Sequence, residues 1–143
     1  MFVNAILSTK GCDVVTIEPT STLRAAAKLL AERNIGALVV TGADRRVIGI
    51  VSERDIVHGL ATHGAAALEL PLTDVMTRRV STCSPSDTIC SVMERMTEGK
   101  FRHLPVLDQG RLAGIVSIGD VVKHRLQQME TEQSAIIDYI QTA

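Results

Sequence analysis

Gly49-Ile-Val-Ser-Glu-Arg-Asp55 returns as Gly114-Ile-Val-Ser-Ile-Gly-Asp120, 65 residues later. Upstream, Val14-x-Thr16-x-x-Pro19-x-x-Thr22 returns as Val80-x-Thr82-x-x-Pro85-x-x-Thr88, at an offset of 66. Self-similarity at a fixed spacing is the signature of a repeated structural unit. The two offsets differ by one residue, which falls between Gly42 and Gly49, where a hairpin turn absorbs a deletion cheaply. The chain reads as two copies of a unit of about fifty residues.

Each copy has the same grammar. Val14–Ile17 and Val80–Cys83 are short strand candidates, closed by Pro19 and Pro85. Leu23, Ala26, Ala27, Leu30 and Ala31 then follow a helical stripe, with Ser21 or Thr22 as cap and Asn34 and Gly36 at its end. Ile89, Val92, Met93 and Met96 repeat that stripe, with Gly99 as the expected stop. Strands follow at Ala37–Thr41 and Val47–Val51, and again at Leu104–Leu107 and Leu112–Val116. Second helices open at Ser52 and Ser117. Leu72–Met76 reads as a short helix leading into the second copy, with Val3–Leu7 as its counterpart before the first. A unit of about fifty residues makes a marginal core alone. The expected architecture is α+β: two pseudo-symmetric β-α-β-β-α repeats packed sheet to sheet. Residues 1–71 hold the first repeat with its N-terminal helix and linker, 72–127 the second, and 128–143 a helical extension.

Composition narrows the function. Fifteen Lys+Arg stand against 16 Asp+Glu in 143 residues, so no electrostatic case exists for nucleic acid or an anionic membrane. Two Phe, one Tyr and no Trp leave little for stacking bases or building an aromatic cage. Cys12, Cys83 and Cys90 form no CxxC pair and leave an odd count, which suits a reducing compartment. Cys83 and Cys90 read as small core fillers. Phe2–Leu7 is too short for a secretory signal, and no apolar run approaches the roughly 20 residues of a membrane span. A cytoplasmic protein is expected. His58, His63, His103 and His124 show no pair at i, i+4, so no metal site is expected. No Walker loop, G-x-G-x-x-G or nucleophile elbow is present. No general base can be nominated, and the chain is not read as an enzyme.

The repeated Gly-Ile-Val-Ser-x-x-Asp has two readings. Ser followed three residues later by an acid is an ordinary capping box. It is also a nucleotide-binding arrangement. The Ser sits at a helix start whose free N–H groups suit a phosphate. The Asp lies beside it, able to accept both hydroxyls of a ribose diol. The Gly permits close approach by a flat base.

The order of elements, the Thr-x-x-Pro openings and the two Gly-Ile-Val-Ser-x-x-Asp endings resemble a tandem pair of CBS (cystathionine β-synthase) domains, a Bateman module. Phe101-Arg-His-Leu-Pro-Val106 resembles the family's second-strand signature, and Asn34-Ile-Gly-Ala-Leu-Val39 is a looser copy. The resemblance runs from about Val3 to Gln127. It implies a non-catalytic sensor of adenosine compounds such as AMP, ADP, ATP or NAD(H), with S-adenosylmethionine less favoured, assembled as a disc-shaped homodimer. It also implies two clefts. One would use Ser52, Arg54 and Asp55 with Arg78, Val80 and Ser81. The other would use Ser117 and Asp120 with Lys10, Val15, Gly36 and Ala37. Arg102 and His103 are phosphate candidates. Gly119 stands where the first copy has Arg54, which weakens the expectation of phosphate binding in the second cleft. The effector is expected to be a separate protein of unknown identity. The competing reading is a structural adaptor with vestigial clefts.

Val122, Leu126, Met129, Gln133, Ile136 and Ile140 step by 4, 3, 4, 3 and 4 residues, an a/d seam with one polar break. Beyond about Gln128 it has no counterpart in the first copy. Such a tail can pack back on its own domain or against another subunit; the dimers that the resemblance implies lead to the expectation that it contributes to oligomerisation.

Overall fold

The computed structural model describes residues 1–142. The chain runs α1 (Val3–Lys10), β1 (Thr16–Ile17), α2 (Leu23–Arg33), β2 (Ala37–Thr41), β3 (Val47–Ser52) and α3 (Glu53–His63). It continues through α4 (Ile89–Gly99), β4 (His103–Asp108), β5 (Arg111–Ser117) and α5 (Ile118–Thr142). Short 3₁₀ turns at Gly64–Glu69 and Leu72–Asp74 connect the halves. No helix of the described residues is long and apolar enough to cross a membrane.

Local chemistry sets the boundaries. Thr22 and Thr88 cap α2 and α4, accepting from the N–H groups of Ala25 and Ser91. Asn34 takes the left-handed conformation that ends α2. In α4 the expected stop at Gly99 moves by one residue, and Lys100 takes that conformation instead. Gly99 serves another purpose: a Cβ there would fall inside the ring of Phe101, which lies over it.

β1, β2 and β3 form one sheet, with β1 parallel and β3 antiparallel to β2; β4 and β5 form an antiparallel pair. The strand expected at Val80–Cys83 reduces to one parallel bridge, Cys83 to Val106. Cys83 N–H donates to the Pro105 carbonyl at 3.0 Å, and Leu107 N–H donates to that of Cys83 at 2.8 Å. Just upstream, Val80 N–H closes a tight bond onto the Arg78 carbonyl, turning the backbone away from the ladder. The bridge still matches Ile17 with Val40 in the first repeat, 66 residues earlier.

Two hydrophobic cores result, and each takes its last piece from the segment preceding the other repeat. Leu23, Ala26 and Leu30 of α2 pack on Leu38, Val40 and Val51, together with Leu72 and Met76. Ile89, Val92 and Met96 of α4 pack on Leu104, Val106, Val116 and Val121, together with Val3, Ile6 and Leu7 of α1. Backbone bonds fasten both leads alike. Ile89 N–H donates to Met1 and Val3 N–H to Asp87; Leu23 N–H donates to Leu70 and Leu72 N–H to Ser21. Burying each large aliphatic side chain contributes about 1.5–3 kcal/mol, so either lead is worth several kcal/mol to the repeat that it completes. The division at residue 71 thus follows the sequence, whereas the packing crosses it.

The crossing explains the glycine of each Gly-Ile-Val-Ser. A Cβ at Gly114 would meet Leu7 Cδ2 at 2.6 Å; one at Gly49 would meet Met76 Sδ at 2.6 Å and the Thr77 carbonyl at 3.1 Å. The close approach expected of a flat ligand is made instead by the exchanged leads. Alanine at either position is expected to cost about 1–3 kcal/mol by overpacking. The cost should be larger at Gly49, where the obstacle includes backbone, than at Gly114, where a leucine tip can move. Chemical denaturation of Gly49→Ala and Gly114→Ala tests this, and equal or negligible losses would contradict it.

Candidate functional site

β3 and β5 each deliver a serine to the start of a helix, and both capping boxes form. Ser52 Oγ accepts from Asp55 N–H at 3.4 Å while Asp55 Oδ2 accepts from Ser52 N–H at 2.9 Å. Ser117 Oγ accepts from Asp120 N–H at 3.1 Å while Asp120 Oδ2 accepts from Ser117 N–H at 2.9 Å. Another orphan amide is taken across the strand ends: Glu53 N–H donates to the Gly36 carbonyl, Ile118 N–H to that of Arg102. These bonds leave the amides of Arg54 and Gly119 as the unengaged donors at the two helix starts. The structural role of the motif is therefore fulfilled, and any binding role must use what remains.

What remains differs between the repeats. Asp55 has both oxygens engaged, because Thr77 Oγ1 donates to Oδ1 at 3.2 Å. At Asp120 the partner is Lys10, whose ammonium lies 2.7 Å from Oδ2 and also donates to the Ile115 carbonyl at 3.0 Å. Oδ1 of Asp120 carries none of these bonds. Both partners come from the exchanged leads. Met76 corresponds to Leu7 at an offset of 69, while the strands that follow correspond at 66. The first lead thus has three more residues before its strand, enough for the longer helix α1 to place Lys10 at its last position.

His103 lies half-buried beside this group, at the start of β4 and opposite Ser117 across the ladder. A Cβ at Gly36 would meet its Cε1 at 3.2 Å. Burial lowers the His103 pKa below 6.5; Lys10 and Arg102 lower it further, and Glu53 and Asp120 oppose them. Burial alone would raise the Asp120 carboxyl, but the bonds from Lys10 and Ser117 hold it below the usual carboxylate value.

Lys10, Gly36, His103, Ser117 and Asp120 are thus brought together, with Arg102 exposed alongside and Ala37 buried opposite Ser52. Val15 is not part of this group. It packs on the first repeat's core and lines a separate depression of ≈ 490 Å³ with Cys12, Arg33 and Arg45. In the first cleft Arg54 donates to the Lys100 carbonyl at 3.1 Å and Arg78 to that of Thr73 at 2.8 Å. Val80 and Ser81 are half-buried, and none of the bonds to Asp55 comes from Arg78, Val80 or Ser81. Thr77 and Glu53 escaped the sequence reading. Thr77 carried no motif, and its place became predictable only with the exchange of the leads.

A family model for the CBS domain matches residues 3–62 and again 72–127. The structure is similar to that of a CBS-domain containing protein from Agrobacterium tumefaciens, with a TM-score of 0.85 and 50% identity, covering 87% of this chain and 99% of that one. It is also similar to a Pyrobaculum aerophilum CBS-domain protein complexed with AMP, at TM-score 0.75 and 28% identity, covering 84% and 89%. The CBS-domain pair of protein MJ0100, in complex with 5′-methylthioadenosine and S-adenosylmethionine, gives 0.79 and 25%, covering 90% and 98%. Among curated relatives, an uncharacterized 17.7 kDa protein of Acidianus ambivalens is 35% identical over 122 residues. The chain spans 71% of that protein, and 58% of a mitochondrial CBS-domain protein of Arabidopsis thaliana.

The lowered His103 value gives a signed expectation. A folded state that disfavours the protonated ring loses stability as pH falls from about 6.5 through the folded pKa, and keeps it in full above that range. Melting temperatures of the wild type should therefore fall more steeply between about pH 7 and pH 5 than those of His103→Gln. Parallel curves for the two proteins would contradict this.

Proposed function

The chain belongs to the CBS-domain family, and from that premise we propose that it is a non-catalytic sensor whose second cleft takes an adenosine compound. One observation carries the reading. Asp120 keeps a free carboxylate oxygen beside an ammonium that arrives from the other repeat. The ribose diol would be taken by Asp120, and the phosphate by Lys10 with Arg102 and His103 alongside. Gly119 has a different weight here from the one its sequence suggested. Lacking a side chain, it leaves an unengaged helix-start amide uncovered for an anionic oxygen. The adenine would meet the backbone at Gly36 and Ala37.

Binding in the first cleft, with Ser52, Arg54, Asp55, Arg78, Val80 and Ser81, would have to displace Thr77 from Asp55. The second cleft is therefore the tighter one. AMP is the first candidate ligand, with ADP, ATP and NAD(H) next; the neighbours that hold AMP, S-adenosylmethionine and 5′-methylthioadenosine support this chemical class. A ligand shifts an equilibrium only by its differential affinity for the two states. Here the lever is Lys10: drawing it from Asp120 to a phosphate loosens α1 from the repeat on which it sits. The sensor acts as a homodimer and reports to a separate effector protein.

Titration calorimetry with AMP, ADP, ATP, NADH and S-adenosylmethionine tests the reading. At least one compound should bind. Asp120→Ala should weaken it by about 10- to 100-fold, the worth of hydrogen bonds to a charged group, and Asp55→Ala should have much less effect. Heat from none of the five, or binding indifferent to both substitutions, would refute the sensor and leave an adaptor acting through protein contacts.

A further inference from the structure

Among the described residues, the C-terminal half of α5 has no partner. Along its seam Val122, Leu126, Met129, Ile136 and Ile140 are between 42% and 68% exposed, and Gln133 interrupts them, also exposed. Ile137 and Tyr139 lie beside the seam at 45% and 74% exposure and widen its far end. The heptad spacing suits a second helix. The flanking charges change sign along it, from Lys123 and Arg125 to Glu130 and Glu132.

We infer that this seam pairs with the same seam of a second copy, in parallel and in register. Three registers compete. Antiparallel with full overlap pairs Val122 with Ile140 and Leu126 with Ile136, yet it sets Met129 against Gln133, Glu130 against Glu130 and Glu132 against Glu132 of the second copy. Antiparallel with a shift that matches Lys123 and Arg125 to Glu130 and Glu132 removes that repulsion. It also carries Ile136 to Gly119 of the second copy, sends Ile140 past the start of the partner helix, and sets Gln133 against Val122. Parallel pairing buries every apolar seam residue against its own copy. It faces Arg125 with Glu130 of the second copy in both directions, the interhelical positions where charges set orientation. It also puts Gln133 beside Gln133, where two amides can bond and a shifted register would bury one against hydrocarbon. This names the segment and polarity behind the homodimer proposed above. Its test is separate from that of the ligand, since no nucleotide is involved.

Sedimentation equilibrium of the full chain should give twice 15.4 kDa. Ile136→Asp with Ile140→Asp should convert it to single chains. Arg125→Glu alone and Glu130→Arg alone should each raise the dimer Kd about tenfold, and the two together should restore it. In the shifted antiparallel register the double swap would stay weakened. Cys83 is buried as expected of a core filler, but Cys90 is exposed, as is Cys12; with Cys12 and Cys90 replaced by serine, Ile136→Cys should give a disulfide-linked dimer on mild oxidation. In the fully overlapped antiparallel register the two thiols would stand about 15 Å apart. A single-chain mass, a dimer indifferent to the Ile136 and Ile140 substitutions, or a dimer that Ile136→Cys fails to link would each overturn the inference.

Discussion

Each repeat is completed by the segment that precedes the other, and the two contacts at which this happens, Leu7 over Gly114 and Met76 over Gly49, govern the rest of the molecule. Neither core closes without its borrowed lead, so neither repeat is a free-standing unit. The strands β3 and β5 must carry glycine at the crossing. The same leads then continue to the helix starts, where Thr77 reaches Asp55 and Lys10 reaches Asp120. One pair of crossings thus closes both cores and brings the partners of Asp55 and Asp120 to the helix starts. Through Lys10, Asp120 is tied to α1, which is seated on one repeat and covalently joined to the other.

The two helix starts show how duplicated sequence yields unequal chemistry. Both spend the same serine and aspartate on a capping box, and both have a further amide covered by a neighbouring carbonyl. Three more residues in the first lead give α1 its length and bring a charged group to Asp120, where the other lead brings only a hydroxyl to Asp55. Arg54 reaches away to Lys100, whereas Gly119 reaches nowhere and covers nothing. The repeat that looks poorer in sequence keeps the more open carboxylate.

Much of this was legible in the residues. The two offsets located the repeat; the stripes in α2 and α4 located their helices, and Thr22 and Thr88 cap them. The paired Ser and Asp lie where the motif put them. What could not be read was which partner each element would choose. Val3, Ile6 and Leu7 announce a helix with a buried face but say nothing about which repeat they cover. The glycines of Gly-Ile-Val-Ser announce a close approach without naming what approaches. Val80–Cys83 has the composition of a strand, but a tight turn at Arg78–Val80 leaves it a single bridge. The family resemblance assigns Val15 to the second cleft, whereas in the structure it packs on the first core. These are long-range choices, and short-range pattern carries no record of them.

If the crossed leads build a ligand site, it lies at Lys10 and Asp120. Backbone amide chemical shifts followed by NMR during titration with AMP report on this site residue by residue, because each of its components has its own amide signal. The largest changes should fall on Lys10, Gly36, His103, Ser117, Gly119 and Asp120, on segments brought together only by the crossing. Changes confined to the depression lined by Cys12, Arg33 and Arg45, or to neither cleft, would contradict it.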